Sequence, residues 1–239
     1  MWVQVKMLKL VLVSLLIVMA NFTFSEEADE IDPFEGVNRV FYELNFNLLD
    51  PVIIKPIAII YDELTPKPIR QGFRNFFSNL DEVPSLVNNV LQGKFGQAAN
   101  NAERFLMNTT LGLGGFLDIA KRAGLQSAED EDFGQTLAVW GVPDGPYLML
   151  PFFGPSTLRD APSNFVDSLL DPFSYNDSLP VRAVIKGIDL ISLRADLLGI
   201  DDVISGDEYL FIRDVYLQNR EYVISDGAID DDFDDLDDY

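Results

Sequence analysis

Apolar residues recur at helical spacing along most of this chain. Near the N-terminus, Val37, Phe41, Leu44 and Leu48 fall three or four positions apart, which places them on one face of a predicted helix. Because a residue that precedes proline is driven out of the helical region, we expect Asp50-Pro51 to end this helix. The domain is therefore predicted to begin with a short amphipathic helix.

The sharpest apolar stripe follows and lies opposite a polar face. It comprises Ile69, Phe73, Phe76, Phe77 and Leu80. Similar patterns recur in residues 95–107, 163–170, 181–198 and 207–223. No stretch alternates long enough to favour a sheet, so we predict an all-α fold of several amphipathic helices. Their apolar faces either pack in a globular core or lie in a membrane interface, and the pattern alone leaves both open.

The middle of the chain, residues 133–160, contains several prolines and glycines. Two apolar arms meet there at Pro143-Asp144-Gly145, a sequence typical of a tight turn. We therefore predict a hairpin whose turn lies at Pro143, Asp144 and Gly145. Gly141 and Gly145 are its predicted hinges.

The first residues have the features of a targeting segment. Lys6 and Lys9 precede an apolar run over residues 10–20 that only Ser14 interrupts. This run is shorter than the roughly 20 residues that a spanning helix needs. We predict a signal peptide in residues 1–25, cleaved near 20 or 25, with an uncleaved N-terminal anchor as the alternative. Because no other apolar run approaches spanning length, we expect an exported protein without transmembrane helices.

Composition excludes several classes of function. The 239 residues include 39 acidic and 17 basic side chains, a formal net charge of −22, and neither cysteine nor histidine. A chain this acidic is not expected to bind nucleic acid. Thiol catalysis, His-containing triads and Cys/His zinc sites are excluded. The segment 226–239 holds eight aspartates and no base, and we predict an acidic, disordered tail there.

Motifs for catalysis and metal binding are weak. Gly154-Pro155-Ser156 lacks the second glycine of a serine-nucleophile elbow, and no Gly-Lys-Ser/Thr phosphate loop occurs. Carboxylate pairs suited to glycoside hydrolysis arise by chance among so many acids. Residues 201–207 are rich in aspartate but lack EF-hand spacing, which favours a solvated charge run over a calcium site. We predict that the protein is not an enzyme and holds no metal or other cofactor.

Two small groups of residues are candidates for ligand contacts. Arg182 and Lys186 lie one helical turn apart among apolar residues, where they could receive a lipid phosphate or pair with nearby acids. Asn45, Phe46 and Asn47 place two amides near the end of an apolar helix, a position that helix interiors use sparingly. That segment is either an ordinary capping region or a strained segment beside a pathway.

Several ordered motifs resemble those of the VacJ/MlaA family of outer-membrane lipoproteins. They are Asp32–Arg39, Asn45–Pro51, Phe105–Asp118, Phe133–Asp160 and Asp207–Tyr216. The resemblance extends over nearly the whole chain after the signal segment, and we place the VacJ/MlaA-like domain at residues 32–225.

The resemblance implies a ring of amphipathic helices lying in the periplasmic leaflet of the Gram-negative outer membrane. Members move mislocalised phospholipid from the outer leaflet through an amphipathic channel to a soluble periplasmic carrier, which maintains lipid asymmetry. A trimeric porin is the usual membrane partner, and an inner-membrane ATP-driven transporter receives the lipid. On this basis Asn45, Phe46 and Asn47 are expected beside the lipid path, Arg182 and Lys186 at the headgroup, and the hairpin at a gate.

The sequence departs from the family at one point. Members carry an acylated cysteine just after the signal peptide, whereas residues 15–30 contain none. We therefore do not expect a triacyl anchor, and retention is expected from the amphipathic helices, a porin or an uncleaved signal segment. The alternative function is a soluble periplasmic lipid-binding or structural interaction protein.

Overall fold

The computed structural model describes residues 31–127, 130–199 and 206–228. The predicted signal peptide and nearly all of the predicted acidic tail lie outside them. In chain order the elements are α1 (Glu35–Tyr42), a π-helix (Glu43–Ile54), α2 (Lys55–Leu64), α3 (Lys67–Leu91), α4 (Phe95–Leu111), α5 (Ile119–Arg122), α6 (Phe133–Val139), β1 (Tyr147–Leu150), β2 (Gly154–Thr157), α7 (Asp160–Leu170), a 3₁₀ helix (Pro172–Tyr175), α8 (Leu179–Asp196) and α9 (Glu208–Ile224). Helices dominate the described residues, which confirms the predicted all-α class.

The first helix is much longer than its sequence predicts. α1, the π-helix and α2 run on without a break, so that one helix of 30 residues extends from Glu35 to Leu64. The expectation that Asp50-Pro51 ends the helix was wrong, because Pro51 lies inside the π-helical segment. In an α-helix the proline ring would clash with the carbonyl one turn earlier, and the wider π turn gives that ring room.

This first helix also presents an unusually apolar surface. Its most apolar 18-residue window has a mean hydropathy of 1.3. By length and composition alone, the helix could cross a membrane. Its large exposed apolar side chains are Val40, Leu48, Val52, Ile53, Ile57, Ile59, Ile60 and Leu64.

The phenylalanine stripe of α3 turns towards the protein interior. Phe77 is buried, Phe73 packs edge-on against Phe116 at 6.0 Å, and Phe76 contacts Phe173 at 5.9 Å between ring centroids. Of the two alternatives for the apolar helix faces, packing in the core therefore applies to this stripe. It does not hold for the outer face of the first helix.

The hairpin is present, but its turn lies further along the chain than predicted. β1 and β2 pair antiparallel with Leu150 opposite Gly154, so the turn comprises residues 151–153. The segment Pro143-Asp144-Gly145 instead precedes β1, and its assignment as the turn was wrong. It still redirects the chain, because Gly145 has a φ of +67°, in the region that favours glycine.

The packing of the elements forms a closed circuit. α2 packs on α8, and α8 packs on α3. α3 also contacts α6, and α6 contacts α9. α9 contacts β2, which pairs with β1, and β1 contacts α1 at the beginning of the first helix. The contacts thus return to the helix from which they started, as expected for a ring.

Candidate functional site

The polarity of this fold is inverted relative to a water-soluble domain. Among the described residues, 19 polar or charged side chains are buried but only nine hydrophobic ones, four of which are alanines with no more than a methyl group to bury. In the same ranges, 34 large apolar side chains are exposed. Soluble proteins bury most of their large aliphatic residues and seldom expose extensive apolar patches. The molecule therefore combines a polar interior with an apolar exterior.

A buried polar seam joins α3 to α4. Arg104 pairs with Glu82 at 2.5 Å between Nε and Oε1, and both side chains are less than a tenth exposed. Asn101 donates to the same carboxylate at 2.7 Å and accepts from Asn89 at 3.0 Å. Because the Glu82 carboxylate and the Arg104 guanidinium are paired with each other and Asn101 also donates to Glu82, the seam tolerates these charges away from water.

A second polar network joins α9 to the ends of α6 and α7. Arg220 donates to Asp132 at 2.5 Å and to Asp160 at 2.8 Å. Burial alone would raise the pKa of Asp160, but hydrogen bonds from Arg220 and Arg159 outweigh it and hold this pKa below its usual range. The C-terminal helix is thereby fixed against the part of the chain that flanks the hairpin.

A third network ties the hairpin to the beginning of the first helix. Asn38 donates to Asp32 at 2.7 Å and to the Tyr147 carbonyl at 3.1 Å, and it accepts from the Met149 amide at 2.9 Å. Tyr209 of α9 donates to the other oxygen of Asp32. Asn38 therefore holds the backbone of β1, and Tyr209 fixes the Asp32 carboxylate that accepts from Asn38.

Asn45, a predicted lipid-path residue, lies directly against the hairpin turn. Its amide nitrogen donates to the Leu150 carbonyl at 2.8 Å, and its oxygen accepts from the Phe152 amide at 2.8 Å. These two bonds hold Phe152 in a left-handed conformation, with a φ of +70°. The turn presents Phe152 and Phe153 to the exterior, where they are 73% and 80% exposed. Asn45 therefore joins the π-helix to the hairpin turn through two hydrogen bonds, which we call the clasp. We call the exposed pair Phe152 and Phe153 the hairpin tip.

The other two residues of that segment have local contacts. The Phe46 ring stacks on Tyr42 at 4.9 Å between centroids. The Asn47 amide donates to Glu43 one turn earlier, at 2.7 Å and in an exposed position. Of the three predicted residues, only Asn45 reaches the hairpin through a hydrogen bond among the described residues.

We expect Asn45→Ala to loosen the hairpin turn. Loss of two hydrogen bonds should lower the free energy of unfolding by about 1–2 kcal/mol. Hydrogen exchange should report roughly tenfold faster exchange of the Phe152 amide, since faster local opening accompanies the lost bond. The matched control is Asn47→Ala, which should change the stability by less than about 0.5 kcal/mol. Unchanged Phe152 exchange in Asn45→Ala would show that the clasp does not hold the turn.

A groove with apolar and charged walls opens between α3, the 3₁₀ helix and α8. We call it the α3–α8 groove. Its lining comprises the apolar residues Phe77, Leu80, Pro84, Phe173 and Ile185 and the charged residues Asp81, Asp171, Lys186 and Asp189. Three carboxylates and one ammonium thus share the groove with the hydrophobic side chains.

The two predicted headgroup cations both lie at this part of the fold. Lys186 lines the groove and pairs with Asp171 at 2.7 Å, so the ion pair with a nearby acid that the sequence left open is present. Arg182, one turn earlier on α8, donates to the Ser174 carbonyl at 2.9 Å. Its buried Nε atom has no hydrogen-bond partner in the part of the chain that the structure describes.

Asp81 has the most perturbed carboxyl group in the groove. Loss of hydration, together with repulsion from Asp130, Asp189 and Asp171, raises its pKa to about 7, and Lys186 opposes this only in part. The pKa of Asp189 is raised as well, also mainly by loss of hydration. Each of these carboxylates is therefore costly to ionise without a further cation.

We expect Asp81→Asn to stabilise the protein at high pH and not at low pH. The folded-state pKa lies above the unfolded value of about 3.9, so the folded wild type loses stability as the pH rises from about 4 to about 7. The variant avoids that loss. Its melting temperature should exceed that of the wild type at pH 8 and match it at pH 4. Equal melting temperatures at pH 8 would contradict the raised pKa.

The predicted gate residues lie between α6 and β1. Gly141 has a φ of +87° with open space where a Cβ would stand, and a Cβ on Gly145 would lie 3.1 Å from Leu158. Asp144 pairs with the buried Arg159 at the start of α7. No hydrogen bond or ion pair in the described ranges links these residues to the α3–α8 groove.

Sequence reasoning missed the buried polar residues. The signal that could have found them is the number of asparagines inside helices, since helix interiors use asparagine sparingly. The buried ones in α3 and α4 are Asn79, Asn88, Asn89, Asn101 and Asn108. The acids of the groove carry no such signal, because they come from distant parts of the chain.

Comparison with known proteins gives the chain its family. The family model described as MlaA lipoprotein matches residues 30–223. The intermembrane phospholipid transport system lipoprotein MlaA of Escherichia coli (strain K12) is 37% identical over 228 residues, which cover 89% of this chain and 90% of that protein. Its namesake from Haemophilus influenzae is 30% identical over 213 residues, with 87% of this chain and 85% of that protein covered.

A solved structure agrees with these relatives. It comes from work on the structural basis for maintenance of bacterial outer membrane lipid asymmetry, and it is 38% identical in sequence. The match has a TM-score of 0.73 and covers 81% of this chain and 98% of that chain. The helical, ring-like fold of the solved protein is thus the fold of this one. With the family model matching most of its length, the chain belongs to the MlaA lipoprotein family.

Proposed function

We propose that this protein transports phospholipid and thereby maintains the lipid asymmetry of the outer membrane. Its inverted polarity is the observation that carries the proposal. A ring with apolar residues outside and polar residues inside is suited to lie in lipid and to offer headgroups a polar path. The named relatives, which belong to an intermembrane phospholipid transport system, support the same function.

The proposed position is the periplasmic leaflet of the outer membrane, reached by export through a signal peptide in residues 1–25. The outer face of the first helix and the hairpin tip would lie among the acyl chains. Each large apolar side chain that leaves water contributes about 1.5–3 kcal/mol. Several such side chains are sufficient to hold the ring in a leaflet against a salt wash.

The proposed path runs through the polar interior. Lipid movement along it requires neither a nucleophile nor a metal, which fits relatives named as transport proteins. The family resemblance supplies the expected partners, a trimeric porin in the membrane and a soluble periplasmic carrier that accepts the lipid. With such a carrier as the sink, the ring itself can act passively.

The proposed gate is the hairpin with its preceding loop. Asn45 fixes the hairpin tip to the π-helix, and Gly141 and Gly145 hold backbone conformations that favour glycine. Motion of the hairpin about these glycines would change the access of lipid to the interior.

The proposal is tested by lipid transfer from vesicles. The full-length protein is reconstituted into vesicles that contain a fluorescent phospholipid, and a soluble lipid-binding protein serves as the acceptor. We expect the protein to accelerate transfer to the acceptor severalfold over protein-free vesicles. A protein that stays with salt-washed vesicles but leaves the transfer rate unchanged would overturn the proposal. Release from the vesicles by salt would favour the soluble lipid-binding alternative.

A further inference from the structure

The α3–α8 groove has an unbalanced charge. Asp81, Asp171 and Asp189 face a single lysine in its lining. Asp171 is already satisfied, since it pairs with Lys186 at 2.7 Å and accepts from the Phe173 amide at 2.9 Å. Within the described ranges, neither Asp81 nor Asp189 has a hydrogen bond or ion pair. The groove therefore holds two carboxylates that lack a cation.

The same groove retains donors for an anionic group. The Lys186 ammonium has three N–H donors, one of which is directed to Asp171, and its side chain is 64% exposed. One turn earlier, Arg182 lies outside the groove lining, and its buried Nε has no acceptor among the described residues. Donors for a phosphate thus lie on the same helix as Asp189, which is three residues beyond Lys186.

The apolar residues of the groove provide a third kind of contact, a hydrophobic surface. Phe77 and Leu80 of α3 face Phe173 and Ile185 across the groove. Apolar walls of this kind accept the glycerol backbone and the upper acyl chain of a lipid, whereas a small hydrophilic cation would gain nothing from them. The groove therefore combines unpaired acids, available donors and a hydrophobic surface in one place.

We propose that the α3–α8 groove is a headgroup site selective for zwitterionic phospholipids that carry a primary ammonium. The ammonium is placed between Asp81 and Asp189, the phosphate at Lys186 with Arg182 beside it, and the acyl chains along the apolar wall. An anionic headgroup that lacks an ammonium leaves both acids unpaired and is repelled by them. The inference rests on the proposed function, because it names the lipid class that the transporter prefers.

The test measures which lipid the full-length protein retains. The purified protein is equilibrated with detergent micelles that contain phosphatidylethanolamine and phosphatidylglycerol in equal amounts, and the retained lipids are quantified by mass spectrometry. We expect the wild type to prefer phosphatidylethanolamine by about tenfold, as one charge-assisted hydrogen bond would give. Asp81→Asn and Asp189→Asn should each reduce this preference below about threefold. The matched control, Glu103→Gln, removes an exposed carboxylate of α4 and should keep the full preference.

A third lipid separates charge from hydrogen bonding. Phosphatidylcholine keeps the positive charge but has no N–H donor, so we expect its retention to lie between those of the other two lipids. Equal retention of all three lipids by the wild type would overturn the inference while leaving phospholipid transport intact. A preference that persists in the double variant of Asp81 and Asp189 would also overturn it. Retention of no phospholipid at all would instead refute the proposed function.

Discussion

Replacing Phe152 and Phe153 together with serine should weaken the partitioning of the protein into vesicles by at least about 100-fold. The two side chains are 73% and 80% exposed at the hairpin tip. If both lie among acyl chains, each contributes about 1.5–3 kcal/mol to binding. Flotation of vesicles with the bound protein measures the partition coefficient directly.

The control for this variant conserves the apolar character of the tip. Phe152→Leu combined with Phe153→Trp should bind vesicles nearly as well as the wild type. Circular dichroism should show equal helicity for both variants, because the tip projects away from the buried networks. Wild-type partitioning of the double serine variant would place the hairpin tip outside the membrane.

Arg104→Ala should lower the free energy of unfolding by about 3–5 kcal/mol. The substitution leaves the Glu82 carboxylate buried without its cation, and breaking a buried pair in this way carries a cost of that size. Chemical unfolding in detergent, followed by circular dichroism, gives the difference. Arg122→Ala, which removes an exposed guanidinium of α5, is the control and should stay within about 0.5 kcal/mol.

A double variant tests whether the charges themselves matter. Glu82→Leu with Arg104→Met replaces the pair by apolar side chains and should recover part of the lost stability, since no unpaired charge remains. If the double variant is less stable than Arg104→Ala, the seam depends on its whole hydrogen-bond network, including Asn101. Wild-type stability of Arg104→Ala would contradict the buried pair.

Much of the fold could be predicted because helices leave a strong periodic signal. The stripe that contains Phe73, Phe76 and Phe77 predicted an amphipathic helix, and α3 contains it. The same periodicity could not decide which faces are inside. Phe77 is buried, whereas Leu48 of the first helix is 54% exposed, although both lie in amphipathic patterns.

Local rules failed where the backbone departs from its usual geometry. Asp50-Pro51 carries the normal signal for a helix end, but the π-helix accommodates the proline. The turn of the hairpin lies at a phenylalanine with positive φ, Phe152, which has no turn propensity of its own. Asn45 supplies the hydrogen bonds that make this conformation possible, and its effect cannot be predicted without the tertiary structure.

The groove could not be predicted from the sequence, for a different reason. Its charged residues lie on α3, before the 3₁₀ helix and on α8, about a hundred positions apart in the chain, and only packing brings them together. Lys186 was predicted as a headgroup contact, but Asp81 and Asp189 were not. Among 39 acidic residues, no sequence pattern distinguishes these two.

The phospholipid content of the cell-surface leaflet tests the proposed transport most directly. It is compared among cells that have the gene, cells that lack it, and cells complemented with the wild type or with the double serine variant at Phe152 and Phe153. We expect surface phospholipid to rise on deletion, to return to normal with the wild type, and to stay high with the variant. An unchanged surface leaflet in cells that lack the protein would contradict a role in outer-membrane lipid asymmetry.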